Sequence, residues 1–154
     1  MTPDLHQQGF AITPSQVVPL TVLGDTVRIL LSSKETNSGL TLVQITSAVG
    51  CGVPWHVHAN EDETFYIIKG SVEFSLPGKT IVAHEGETVF APRKIAHTYR
   101  VVGSEPATFN VTVTPGGLDE MFPQLATLPN PPDFGRVAAI CEEFGIQFLK
   151  DPNA

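Results

Sequence analysis

Alternating hydrophobic and polar residues fill most of the chain up to Thr114, and this pattern predicts β-strands. Residues i and i+2 of a strand share a face, so a half-buried strand repeats every second position. The runs are rich in β-branched and aromatic residues, and glycine and proline separate them, as in the turn pair Pro77–Gly78. The predicted strands cover 26–31, 40–46, 63–69, 72–76, 79–83, 87–91, 97–102 and 106–114, after an extended segment over 10–20.

After Pro115 the hydrophobic residues recur at helical spacing instead. One stripe consists of Leu118, Met121, Phe122 and Leu125, and a second of Val137, Ile140, Cys141 and Phe144. Pro123 is expected to shorten or kink the first helix, Asp133 to cap the second and Gly145 to end it. We expect this tail to pack against the β-strands, and closure over the mouth of a barrel as a lid is the alternative.

Length and composition predict one domain over 1–154, with a β-barrel over 10–114 and a helical tail over 115–154 that packs on it. The formal net charge is −7 and the nine basic residues are scattered, which argues against nucleic acid and anionic membranes as partners. No apolar run is long enough to span a bilayer, and residues 1–8 lack the features of a secretion signal. We therefore expect a cytoplasmic protein whose two cysteines are reduced.

Three of the five histidines and one glutamate lie at spacings that suit a metal site. His56 and His58 share a strand face, and four residues separate His58 from Glu63, which opens the next predicted strand. His97 begins a later strand. The four side chains can converge if these strands line one barrel, which strand parity alone does not establish. Three imidazoles and a carboxylate form a common ligand set for divalent first-row metals.

Two blocks bounded by glycine carry these histidines. The first contains Gly50, His56, His58, Glu63 and Gly70, and the second contains Gly86, Pro92 and His97. Their spacing resembles the two motifs of the cupin superfamily, G-x5-H-x-H-x(3,4)-E-x6-G and G-x5-P-x-G-x2-H-x3-N. Lys94 and Val101 stand where the second motif has a glycine and an asparagine. The turn before His97 is therefore expected to differ from the common one.

The resemblance implies an all-β fold, a single antiparallel cupin barrel of the jelly-roll type, followed by a short C-terminal helical segment. It also implies that a divalent metal (Mn, Fe, Co, Ni, Cu or Zn) binds to four ligands, namely His56, His58, Glu63 and His97. An unliganded structural cluster is the alternative, and it would leave buried polar groups without partners. The tail, which ends in Phe-Gly-Ile-Gln-Phe-Leu, is similar to that of small cupins grouped with flavonol dioxygenases (quercetinases).

The predicted surroundings of the metal are apolar and aromatic. By strand parity or by neighbouring strands, the predicted substrate pocket comprises Phe65, Ile67, Phe90, Tyr99 and Phe109. The alternative for each aromatic residue is a role in the barrel core. Arg93, Lys94 and Arg100 are the basic residues near the motifs, and we expect them on the solvated surface.

Three functional hypotheses follow. The first is a metal-dependent dioxygenase that acts on an enolisable or polyphenolic compound, with Glu63 as the catalytic residue, acting as metal ligand, general base or both. The second is a binding protein that holds a metal or a hydrophobic small molecule unchanged. The third is a metal-dependent isomerase or decarboxylase. The resemblance also implies a homodimer, in which residues 16–23 either pair with a neighbouring chain or stay within their own barrel.

Overall fold

Two antiparallel β-sheets and a short helical tail make up the computed structural model of the protein, which describes residues 8–154. In chain order the strands are β1 (Leu20–Val22), β2 (Asp25–Leu31), β3 (Thr41–Ser47), β4 (Gly52–His58), β5 (Asp62–Lys69), β6 (Ser71–Leu76), β7 (Lys79–Ala83), β8 (Thr88–Ala91), β9 (His97–Val102), β10 (Ala107–Thr114) and β11 (Ile146–Phe148). The helices are α1 (Met121–Ala126) and α2 (Phe134–Glu143), with single 3-10 turns at Pro14–Gln16 and Leu118–Glu120. Residues 1–7, on which part of the prediction about a secretion signal rests, lie outside the described residues.

The sheets form the predicted jelly-roll. One has the strand order β1-β2-β3-β10-β5-β8 and the other the order β11-β4-β9-β6-β7. Burial alternates along β10, where every second residue from Ala107 to Val113 is buried, because one face of the strand meets the core. The largest fully buried side chains between the sheets include Phe65, Phe74, Phe109 and Ile67. Hydrophobic burial between two sheets therefore holds the barrel together.

The tail packs against the barrel and also adds a strand that the sequence pattern did not predict. Asp133 caps α2 by accepting a hydrogen bond from the Gly135 amide at 2.8 Å, and Gly145 follows the helix with φ 76°. Pro123 lies in the first turn of α1, where its missing N–H is harmless, and the helix is short. β11 then pairs with β4 and extends its sheet. No helix of residues 8–154 is both long and apolar enough to cross a membrane.

The N-terminal segment pairs within its own chain over Leu20–Val22, which forms a hairpin with β2. Leu23 and Gly24 make the turn with φ 52° and 92°, as a two-residue hairpin requires. Residues 16–23 were predicted to pair either with a neighbouring chain or within their own barrel. In the structure, Leu20–Val22 pair within the barrel.

A buried carboxylate ties the start of the tail to β3. Asp119 accepts hydrogen bonds from the Thr41 hydroxyl at 2.7 Å, the Ser33 amide at 3.0 Å and the Ser33 hydroxyl at 3.1 Å. Thr41 in turn accepts one from the Gly117 amide at 3.1 Å. Because Asp119 is 8% exposed and Thr41 is 0% exposed, water has little access to these groups, and loss of their hydrogen bonds lowers stability.

Replacing Asp119 with alanine is expected to lower the free energy of unfolding by about 3 kcal/mol, since three hydrogen bonds to its carboxylate are lost and the buried hydroxyl hydrogen of Thr41 is left without an acceptor. Urea denaturation followed by circular dichroism measures the change. Glu120→Ala removes an exposed carboxylate one residue away and is expected to stay within about 0.5 kcal/mol of wild type. Equal stability of the two variants would contradict the proposed contribution of Asp119.

Candidate metal centre

Four buried side chains from three strands meet at one point inside the barrel. His56 and His58 come from the end of β4, Glu63 from the start of β5 and His97 from the start of β9. One nitrogen or oxygen of each lies within 4.8 Å of those of the other three. All four residues are between 2% and 8% exposed. The convergence that strand parity allows is therefore present in the fold.

The carboxylate oxygen Oε1 of Glu63 lies at the centre of this metal-ligand cluster. The distances from it to the Nε2 atoms are 2.6 Å for His58, 3.1 Å for His97 and 4.0 Å for His56. The three imidazoles thus present the same ring atom to the same oxygen.

Backbone carbonyls decide which nitrogen of two of these rings carries the proton. The Nδ1 atom of His56 lies 2.8 Å from the carbonyl oxygen of Pro54, and that of His97 lies 3.2 Å from the carbonyl oxygen of Ile95. A carbonyl only accepts hydrogen bonds, so Nδ1 must donate and carry the hydrogen. In the neutral rings the lone pair is then on Nε2, which faces the cluster.

His58 is oriented in the same way by a carboxylate. Its Nδ1 lies 3.4 Å from Oε2 of Glu61, which is 8% exposed. Carboxylate partners of this kind commonly orient metal-binding histidines and raise their basicity. The sequence pattern did not single out Glu61, because acidic residues between two strands are usually solvated.

The donor set fits a divalent cation. When all three Nε2 atoms are deprotonated, their lone pairs and the Glu63 carboxylate converge in a buried position and repel one another unless a positive charge lies among them. Nitrogen and oxygen donors of this type suit first-row transition metals from Mn to Zn without selecting one. The cluster of His56, His58, Glu63 and His97 can therefore hold such a metal.

A distortion in β4 aligns the two histidine blocks. His56 pairs with His97 and Val53 pairs with Tyr99, so three steps along β4 correspond to two along β9. The extra residue is a β-bulge, and bulges often redirect side chains near functional sites. At Gly52 a Cβ atom would overlap the Tyr99 carbonyl oxygen, so only glycine allows β4 to approach β9 this closely.

The turn before His97 keeps a glycine-like conformation without glycine. Lys94 has φ 66°, in the left-handed region that favours glycine. Its amide donates to the His58 carbonyl at 2.8 Å, which joins the second histidine block to the first. Val101, the other departure from the motif, is 1% exposed and lies in the core. The turn therefore differs from the cupin motif in its residue type. Its backbone keeps a conformation that glycine adopts easily.

The charges of the cluster shift the pKa values of its members in opposite directions. Burial alone would lower the pKa of His58, but Glu63 and Glu61 outweigh it and raise that pKa to about 9. Burial and the neighbouring His97 lower the pKa of His56 to about 4. Burial would raise the pKa of Glu63, yet contacts with His58 and His97 hold it far below its usual range. Near neutral pH the metal-free cluster therefore contains an ionised Glu63 beside a protonated His58.

Metal binding at pH 7.5 is expected to release about one proton, because His58 must lose its proton to become a ligand. Protons compete with the metal below the His58 pKa of about 9. The apparent affinity should therefore rise about tenfold per pH unit from pH 6.5 towards 9 and level off above it. Calorimetry in buffers of different ionisation enthalpy counts the released protons, and binding without proton release would contradict the assignment to His58.

A cavity adjoins the cluster and is otherwise mainly hydrophobic. Its volume is about 150 Å³, and His56, His58 and Glu63 form part of its wall. The tail closes one side through Leu118, Met121, Phe122, Leu125 and Phe148. The Phe148 ring centroid lies 6.2 Å from that of His56, because β11 places the two residues opposite each other. The tail thus packs on the barrel and also forms one wall of the cavity.

The predicted pocket residues divide into three groups. Phe65 and Tyr99 line the cavity. Ile67 and Phe109 are 0% exposed and lie in the core, outside the cavity wall. The prediction for Phe90 was wrong: its side chain is 56% exposed. In the pairing of β8 with β5, Ala91 lies opposite Glu63 and shares its inward face, so Phe90 points to the outer surface.

The side chains of the basic residues and the cysteines near the site lie outside the metal-ligand cluster. Arg93 pairs with Asp62 at 3.2 Å, and Arg100 pairs with Glu73 at 3.3 Å on the outer surface. Cys51 and Cys141 are free thiols, as expected. Burial raises the pKa of Cys141 to about 11, so it remains an unreactive part of the cavity wall.

Comparison with a family model identifies the barrel. The model of the cupin domain matches residues 43–114, which include all four residues of the metal-ligand cluster. Over these residues the barrel is similar to the cupin domain. This match supports the family assignment made from the two motifs. No curated protein matches the sequence.

Solved structures share this cupin fold at low sequence identity. KdgF from Halomonas sp. is 18% identical with a TM-score of 0.64, covering 73% of this chain and 99% of that one. A predicted oxalate decarboxylase from Thermotoga maritima is 21% identical with a TM-score of 0.60, covering 68% of this chain and 98% of that one. The polyketide cyclase RemF from Streptomyces resistomycificus is 20% identical with a TM-score of 0.58, covering 68% of this chain and 78% of that one. Such likeness establishes the fold alone.

Proposed function

We propose that this cupin is a metal-dependent dioxygenase that acts on a flat, largely apolar compound with an enolisable or phenolic oxygen. The supporting observation is that the metal-ligand cluster opens into a cavity whose other walls are mainly hydrophobic and aromatic. An aromatic compound in this cavity would contact the apolar walls with its rings and the cluster with its oxygen. A sugar phosphate or polycarboxylate would find no arginine or lysine among the lining residues.

The residues of the cluster have separate tasks in the proposed reaction. His56, His58 and His97 would hold the metal through Nε2, and Glu63 would complete the set through Oε1. A divalent metal in this position lowers the pKa of a hydroxyl group bound to it. Glu63 is placed to take up the released proton as a general base. The carbonyls of Pro54 and Ile95 keep two imidazoles in a fixed orientation. In a dioxygenase reaction both oxygen atoms enter the substrate, so no separate reductant is required.

A reaction without dioxygen is the second candidate. Among the proteins of similar fold, one carries the name polyketide cyclase and another that of a predicted oxalate decarboxylase. The same carboxylate could remove or return a proton in a cyclisation, isomerisation or decarboxylation. Binding without turnover is the third candidate, since the fold alone does not establish catalysis.

Oxygen uptake distinguishes these candidates. The protein is reconstituted separately with Mn, Fe, Co, Ni and Cu and incubated with a panel of flavonols, and metal-free protein is the control. Uptake that depends on both metal and flavonol supports the dioxygenase. A product formed equally well under nitrogen supports the second candidate. Recovery of every flavonol unchanged with every metal would overturn the dioxygenase proposal.

Three features of this proposal stay predictions. They are the single domain over 1–154, the cytoplasmic location and the homodimer. Sedimentation velocity at micromolar concentration tests the last of these, and a monomer under those conditions would contradict it.

A further inference from the structure

A second polar group lies at the end of the cavity away from the metal-ligand cluster. Asp25, the first residue of β2, lines the cavity. Val22, the last residue of β1, and Leu23 of the adjoining turn line it beside Asp25. Its Oδ1 atom accepts a hydrogen bond from the Ser47 hydroxyl at 2.7 Å. The cavity therefore has a carboxylate at the far end of a wall that is mostly hydrophobic.

Strand register separates Asp25 from the cluster. At the cluster end of the first sheet, Glu63 lies beside Val113, which lies beside Thr41 on β3. Ser47, the partner of Asp25, is the last residue of the same strand, six positions beyond Thr41. Six strand residues span about 20 Å, and side chains that reach inwards from both ends shorten this distance. A molecule that contacts both ends of the cavity must therefore be elongated.

The Asp25 carboxylate is only partly satisfied by the protein. Among residues 8–154, Ser47 is its one hydrogen-bond donor, and that bond goes to Oδ1. Asp25 is half-buried, and this burial raises its pKa above the usual value. Loss of hydration is unfavourable for a carboxylate unless donors compensate it. Oδ2 is therefore free to accept a hydrogen bond from a molecule in the cavity.

The wall between the two ends is apolar and aromatic. Val43, Ile45, Phe65 and Tyr99 line it. The Phe65 and Tyr99 ring centroids lie 5.8 Å apart at an interplanar angle of 63°, so they present both a ring face and a ring edge. This arrangement suits a planar aromatic body that carries a polar group at each end.

We propose that Asp25 determines specificity by accepting a hydrogen bond from a hydroxyl group at the far end of an elongated aromatic ligand. The near end of this ligand lies at the metal-ligand cluster, and that part of the inference rests on the proposed function. The ligand class is then a polyphenol with hydroxyl groups at opposite ends. A ligand with a carboxylate at the far end is rejected, because it would meet Asp25 with a like charge.

Ligand binding tests this inference without relying on turnover. Affinities are measured anaerobically, in metal-free and in zinc-loaded protein, for flavonol and for the flavonol with one hydroxyl group on its pendant phenyl ring. Wild type is expected to bind the hydroxylated probe 10- to 100-fold more tightly, as a hydrogen bond to a charged group provides. Asp25→Ala should bind both probes about equally, and Asp25→Asn should keep only part of the preference. Asp151→Asn, an exposed position outside the cavity, should behave as wild type.

A purely structural role for Asp25 gives a different result. If its carboxylate only ties β2 to β3 through Ser47, Asp25→Ala lowers the melting temperature and leaves the ratio of the two affinities unchanged. That result, or equal binding of both probes by wild type, or binding of neither, would overturn the inference. Preference without oxygen uptake would reject the dioxygenase and keep the role of Asp25. Oxygen uptake without a preference for the hydroxylated probe would support the dioxygenase and reject the role of Asp25.

Discussion

Replacement of His97 with alanine is expected to lower the affinity for a divalent metal by roughly 100-fold or more. The reason is that one of four ligands is lost from a site whose total binding free energy is on the order of 10 kcal/mol. The remaining three donors come from β4 and β5 alone, so the link between the two histidine blocks disappears. Metal content after dialysis and competition with a chromophoric chelator measure the change.

His84 provides a matched control for this experiment. It is an exposed histidine outside the cluster, and its Nδ1 contacts the Ser71 hydroxyl at 3.0 Å. His84→Ala should retain wild-type metal content. Circular dichroism of His97→Ala before metal addition confirms that the barrel still folds. A correctly folded His97→Ala protein with wild-type affinity would show that the ion binds elsewhere, and the proposed chemistry would lose its basis.

Replacement of Glu63 with glutamine is expected to lower turnover by about 100- to 10,000-fold, the range typical for loss of a general acid-base group. Glutamine keeps the shape of the side chain and removes its charge, so its amide can neither accept the substrate proton nor neutralise the metal as well. Steady-state rates at saturating metal measure the effect. Glu105→Gln, at an exposed position, is the matched control.

The same variant has a second readout that does not depend on turnover. Glu63 is the nearest negative charge to His58 and contributes most to the elevation of its pKa to about 9. In metal-free Glu63→Gln the His58 pKa should fall towards 6.5, its ordinary value. The proton released on metal binding at pH 7.5 should then largely disappear. An NMR titration of the imidazole protons follows this shift, and an unchanged pKa would show that Glu61 alone sustains it.

The interior of the barrel separates stability from function. The inward face of β10 and the middle of β3 and of β5 are filled with hydrophobic side chains, whereas the end of β4 and the starts of β5 and β9 carry the buried residues of the cluster. Buried polar groups of this kind lower stability unless a ligand or metal compensates them. Metal binding is therefore expected to raise the stability of the folded protein, by an amount that depends on the free metal concentration.

The sequence determined eight of the eleven strands of the described residues, the hairpin at Pro77–Gly78, the cap at Asp133 and the four residues of the cluster. These are local features: alternation with period 2 sets which side chains share a strand face, and glycine, proline and aspartate favour specific turns and caps. The candidate ligand set came from the resemblance of two short blocks to the cupin motifs. For the same reason, the family could be recognised from eight residues.

Tertiary structure alone decided which strands meet and in what register. The bulge between Val53 and His56, the outward direction of Phe90 and the pairing of β11 with β4 follow from contacts between distant segments. So do the burial of Glu61 against His58 and the position of Asp25 at the far end of the cavity. Strand parity is periodic only within one uninterrupted strand, and a single extra residue reverses it. Packing between the sheets, which no local pattern specifies, therefore decided which side chains face the cluster and the cavity.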